Sequence, residues 1–160
     1  MRVWPLLAAA LLLAVPASAQ REETQDRAAI HALLVAYGST IDARDFDGFA
    51  ALFAEDGTYG AGNGAGVPGK EAGEFLRRVF AENAQGFGEP NFYLFFNEVV
   101  TFTGADSAQA SSFSLYMVPG EGGRPQAALM ARYADELVRE DGAWKFAHRR
   151  VESLMPAPGS

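Results

Sequence analysis

The chain contains no cysteine. That absence removes disulfides, thiol nucleophiles and thiolate metal sites together. Histidine is almost as scarce: His31 and His148 lie far apart at no metal-ligand spacing, so no metal is expected. Basic residues are outnumbered, thirteen against twenty acidic, for a net charge of −7. Phosphate backbones would be repelled, which argues against a nucleic-acid partner. No G-x-S-x-G nucleophile turn occurs. The glycine-rich stretch Gly60 to Gly69 lacks the GK[ST] ending of a phosphate-cradling loop. No cofactor is expected.

Long apolar runs are also missing, apart from Leu6 to Val15. Spanning a bilayer takes about 20 residues, so this run is too short for an anchor. With Arg2 before it and Ala17-Ser18-Ala19 after it, it reads as a signal peptide over 1–19. The expected mature protein is periplasmic or secreted, free of the membrane once the leader is cleaved. One domain is expected over 20–154, with 155–160 a loose tail. An exported chain without disulfides must hold itself together by burial alone.

Periodicity supplies the elements. Thr24, among Glu22, Glu23 and Asp26, reads as a helix start. Ile30, Leu33, Leu34, Tyr37 and Ile41 then form one apolar stripe. Asp45 caps a second short helix through Phe46, Phe49, Leu52 and Phe53. A short strand over 57–60 leads into Gly60 to Gly69, expected to be a mobile loop. Lys70 to Asn83 is a third helix with Phe75, Leu76, Val79 and Phe80 inward. The second half changes period, predicting strands over 92–102, 108–118, 127–138 and 143–151, punctuated by Gly104-Ala105-Asp106, Gly120 to Gly123 and Asp141-Gly142. Helices first and antiparallel strands after is an α+β order.

Strand 92–102 does not alternate cleanly: Phe92, Leu94, Phe96, Val100 and Phe102 are apolar, but so are Tyr93, Phe95 and Val99. A sheet with one wet face should alternate. Two apolar faces predict either a homodimer packed sheet to sheet or a core covered by the termini.

Three segments carry a family resemblance. They are Ile41-Asp42-Ala43-Arg44-Asp45-Phe46-Asp47 running into Leu52 to Tyr59, then Tyr93-Leu94-Phe95-Phe96-Asn97, then Arg132-Tyr133-Ala134-Asp135 leading to Asp141 to Phe146. In that order and spacing the chain resembles the SnoaL-like branch of the nuclear transport factor 2-like superfamily. The resemblance implies a cone: three N-terminal helices packed on a curved, mainly antiparallel sheet, with an apolar ligand pocket inside. Dehydratase relatives carry an aspartate at the position of Asp42, working beside two histidines; this chain has Tyr93 and Ser112 there. The ketosteroid isomerase pattern fits less well, with only Tyr37 as a loose counterpart of its oxyanion-holding tyrosine.

The residues themselves leave two readings of Asp42. It falls beside the buried stripe, one turn after Gly38, where partial burial would raise its proton affinity toward that of a base. From position alone the more ordinary reading is an exposed acid near a helix end, paired with Arg44 or capping the next turn. Tyr93 or Tyr59 would orient water or stabilise an enolate. Phe95, Asn97, Ser112, Ser114, Tyr116, Tyr133 and Arg149 are expected to line the pocket by fold analogy, although Phe113, Leu115 and Met117 make the more apolar face of their strand. The run Lys145, His148, Arg149, Arg150 reads as a basic edge strand, or as an anchor for an acidic ligand at the pocket mouth. The expected function is binding of a small apolar or cyclic molecule, with dehydration or isomerisation by Asp42 as base. The alternative is a non-catalytic binding or dimerisation module.

Overall fold

The computed structural model describes residues 17–61 and 66–155. The signal-peptide reading therefore falls almost wholly outside the described residues, as do 62–65 of the glycine-rich stretch and most of the tail. The elements run α1 (Ala17–Asp42), α2 (Phe46–Ala50), β1 (Phe53–Ala61), β2 (Val67–Pro68), α3 (Gly69–Glu82), β3 (Phe92–Gly104), β4 (Ser107–Pro119), a 3-10 turn (Glu121–Gly123), β5 (Pro125–Glu140) and β6 (Ala143–Ser153). This is the α+β cone: helices on one face of a curved six-stranded sheet ordered β2-β1-β6-β5-β4-β3. Every strand pair is antiparallel except β1 with β6.

The stripe of α1 behaves as its spacing requires, with Ile30, Leu33, Leu34, Tyr37 and Ile41 all buried. The helix reaches back to Ala17, so Thr24 sits within it rather than capping it. Asp45 does cap α2, its carboxylate accepting from the Gly48 N–H at 2.8 Å. That helix stops at Ala50, and Phe53 opens β1 instead of closing α2. Once on the strand, Phe53 packs on Phe49 and Phe146. The glycine-rich stretch is only partly loop, because β1 runs to Ala61 and Val67–Pro68 pairs back onto Thr58 and Tyr59. In α3, Ala72, Gly73 and Leu76 are buried but Val79 is 41 % exposed. Gly73 is required there: a Cβ would stand 2.1 Å from the Phe46 carbonyl oxygen.

The irregular alternation of β3 has a local cause. Asn97 takes φ 55°, and pairing with β4 slips between Phe96 and Val99, a β-bulge. Before it Tyr93 and Phe95 face the core; after it Val100 and Phe102 do. One extra residue thus keeps the apolar side inward across a change of phase. The face turned away from the helices still carries Phe92, Leu94 and Val99, at 50, 52 and 60 % exposure.

Candidate functional site

Tyr37 stands at the centre of the cone. Its ring touches those of Phe49, Tyr59, Phe95, Tyr133 and Phe146, with centroids 5.0 to 6.5 Å apart. The deep end is therefore filled by aromatic rings, not the open apolar hollow the sequence suggested. Gly38 contributes to the filling. A Cβ there would lie 2.8 Å from the edge of Phe95, so the space it leaves belongs to that ring and not to a ligand near Asp42.

Beneath the rings lies a polar cluster that no surface explains. Arg149 is fully buried, with its guanidinium 3.8 Å from the Tyr37 centroid, 4.2 Å from Tyr133 and 4.6 Å from Phe146. Asp135 stands opposite it across β5 and β6, 3 % exposed, with Oδ2 3.5 Å from Nη1. Neither the carboxylate nor the guanidinium has a hydrogen-bond partner among the described residues, and the buried Ser112 hydroxyl has none either. Burial pushes the Asp135 carboxyl up to about 6, against the pull of Arg149. β6 is an inner strand between β1 and β5, which corrects the basic-edge reading. Arg149 belongs to the core, not the mouth, and the neighbouring His148 bonds Thr58 on β1.

All five tyrosines of the chain join this cluster, from five different elements. The Tyr37 hydroxyl donates to Tyr59 at 3.4 Å, and Ser114 Oγ and Tyr133 Oη are 3.2 Å apart. Phe95 links Tyr133 to Tyr93, which packs 4.7 Å from Tyr116. Burial is the largest cause raising every one of their pKa values, with Tyr59 pushed up to about 12. All five are neutral hydrogen-bond donors at ordinary pH.

The chain of rings ends at a recess of about 130 Å³ between α3 and the sheet, where Leu76, Val79, Phe80, Phe87, Tyr93, Tyr116 and Leu129 form the walls. Asn83 shapes its rim. In left-handed backbone at the end of α3, its side chain donates to the Phe87 carbonyl and accepts the Phe87 N–H, both at 3.0 Å. Asp42 stands behind Tyr93, accepting its backbone N–H at 3.0 Å. Partial burial raises its pKa, opposed by that hydrogen bond and by Arg44. Its charge in turn helps raise those of Tyr93 and Tyr116. Arg44 itself turns to Asn91 at 2.6 Å and lies over the Phe80 ring.

Residues 22–150 match the SnoaL-like domain. The chain belongs to that family. Solved structures with the same fold include an ntf2-like protein with a cystatin-like fold from Novosphingobium aromaticivorans, 24 % identical over 89 % of each chain with a TM-score of 0.72. A putative scytalone dehydratase from the same organism is 24 % identical over 85 % of this chain and 89 % of its own, TM-score 0.70. A hexachlorocyclohexane dehydrochlorinase (LinA) Type2 is 20 % identical over 88 % of this chain and 99 % of its own, TM-score 0.70. No curated protein matches the chain in sequence. At these identities the likeness is one of fold.

Within this SnoaL-like cone, Tyr37, Tyr59, Tyr93, Phe95, Ser112, Tyr116, Tyr133 and Arg149 face inward and Asp42 lies half-buried behind Tyr93. Asn97 is exposed at the bulge and takes no part, because the phase change turns it away from the core. Asp135 escaped the sequence reading. Its signal was an acid in the apolar phase of Tyr133, Asp135 and Leu137, visible only once the register with Arg149 is known.

Proposed function

We propose that this SnoaL-like protein binds a small cyclic molecule at the recess and removes a proton from it with Asp42. The observation that carries the reading is a half-buried carboxylate, its pKa raised by burial, that accepts the backbone N–H of Tyr93, whose side chain walls the recess. One Asp42 oxygen is held by the Tyr93 N–H, which fixes the carboxylate; the second is left to take the proton. No hydrogen bond occupies the Tyr93 and Tyr116 hydroxyls among the described residues, so both can donate to negative charge developing on the substrate. Two proteins of like fold are named a putative scytalone dehydratase and a hexachlorocyclohexane dehydrochlorinase, and both names denote an elimination, which removes a proton.

A second reading, a binding or dimerisation module without chemistry, is favoured by the same hydrogen bond. β3 is the terminal strand, and Asp42 ties its first residues to the end of α1. Asp42→Asn separates the two, because the amide oxygen still accepts the Tyr93 N–H but is no base. Native mass spectrometry of protein purified from its host identifies the retained ligand. NMR then follows deuterium exchange at that ligand's carbon-bound protons. We expect the variant to bind it normally and to exchange its protons roughly 10²–10⁴-fold more slowly; exchange at the wild-type rate leaves only the module.

The protein is further proposed to be exported, on the strength of Arg2, the Leu6 to Val15 run and Ala17-Ser18-Ala19. N-terminal sequencing of the periplasmic or secreted protein should read from Gln20, and an intact Met1 in the cytoplasmic fraction alone would contradict it.

A further inference from the structure

The recess limits what it can hold more tightly than the fold does. Resting on the reading of that recess as the ligand site, we infer that its ligand is an uncharged molecule built on a single six-membered ring with one oxygen substituent. Size sets the first limit. An engineered apolar cavity of about 150 Å³ in another protein holds benzene, and this recess measures about 130 Å³. A second fused ring cannot extend inward, because the next layer is the packed set Tyr93, Phe95, Tyr133 and Tyr37, and outward it would leave the apolar walls for solvent.

Charge sets the second limit. No acidic or basic side chain lines the recess. The nearest cation, Arg44, lies with its guanidinium 4.0 Å from the Phe80 centroid and is hydrogen-bonded to Asn91 and to the Ile41 carbonyl. A carboxylate in the recess would lose its water and find no ion-pair partner among the side chains that line it. Shape sets the third. Phe80, Phe87, Tyr93 and Tyr116 offer ring faces and edges suited to a flat guest. The hydroxyls of Tyr93 and Tyr116 offer donors, which call for an acceptor oxygen on that guest.

The test uses three probes on the whole protein, read by NMR titration: p-cresol, benzoate and 2-naphthol. p-Cresol should bind, and both others should bind roughly tenfold or more weakly. The naphthol is the demanding case, since general hydrophobicity favours it over the cresol. Val79→Trp, at a half-open helix position on the recess wall, should weaken p-cresol roughly tenfold or more. Leu129→Trp closes the recess from the sheet side should the first variant misfold. Benzoate or 2-naphthol binding as tightly as p-cresol overturns the inference. So does p-cresol binding that survives both tryptophans, or no p-cresol binding at all. Asp42→Asn keeps this apart from the proposed chemistry: it should leave p-cresol affinity unchanged while slowing proton exchange at the retained ligand. A retained ligand with two rings or a charge, whose exchange still needs Asp42, removes the ring limit and leaves the base.

Discussion

Asp135 is the residue whose chemistry most affects the molecule as a solute. Its folded pKa stands near 6 against an ordinary 3.8, because burial disfavours the anion more than Arg149 favours it. Between those two values the folded chain holds a proton that the unfolded chain has released. Stability therefore falls as pH rises through about 6, the reverse of the usual carboxylate, and levels off above it. The rise from 3.8 to about 6 corresponds to roughly 3 kcal/mol at full span. Asp42 is shifted the same way. Asp26 is shifted down, held chiefly by the Arg139 hydrogen bond, and weakens the fold only below the ordinary aspartate range. Urea unfolding of the protein and of Asp135→Asn from pH 4.5 to 7.5 isolates the effect. The parent should lose stability with rising pH by about 2 kcal/mol more than the variant does. Parallel pH profiles for the two would show that the pair is solvated in the folded state.

The bulge in β3 is the element-scale counterpart. Asn97 sits at φ 55°, a conformation asparagine tolerates and β-branched residues do not. Asn97→Gly should fold with stability within about 0.5 kcal/mol of the parent, and Asn97→Val should lose about 1–2 kcal/mol, measured by urea denaturation. Equal stability of the two variants would mean that the bulge is not held in that conformation. This element also shows where reading the sequence stops. The helical stripe of α1 was legible because Ile30 to Ile41 repeat a 3.6-residue period over three turns. The cap at Asp45 was legible because capping chemistry is local. The facing of Tyr93 against Val100 was not, because alternation cannot reveal a slip that exists only in the pairing with β4. Asp135 and Arg149 were hidden for the same reason: their meeting is a matter of register between strands. The filling of the cone by Tyr37 and Phe95 was hidden too, since an aromatic residue reads alike as a pocket wall or a plug.

At the scale of the whole molecule, the bulge accounts for the inner half of the unusual composition of β3 but leaves the outer half open. Phe92, Leu94 and Val99 are half exposed or more, and Phe96 and Phe113 stack beside them at 6.0 Å on the same side. Lone exposed apolar residues are common on soluble proteins, but a contiguous group across two neighbouring strands is a surface that association would cover. The edge strand β3 lies within it. We therefore propose a homodimer through this face. A stable interface needs about 800 Å² from each partner, a patch centred on Leu94 and spreading over β3 and β4. Leu94→Lys places an ammonium at that centre without touching the core, since Leu94 is 52 % exposed. In sedimentation equilibrium the parent should show twice the chain mass at micromolar concentration. The lysine variant should dissociate on the order of a hundredfold more readily, with its monomer as resistant to urea as a surface change allows. A parent that sediments as a monomer, or a variant as tightly paired as the parent, would assign the outer face some other cover.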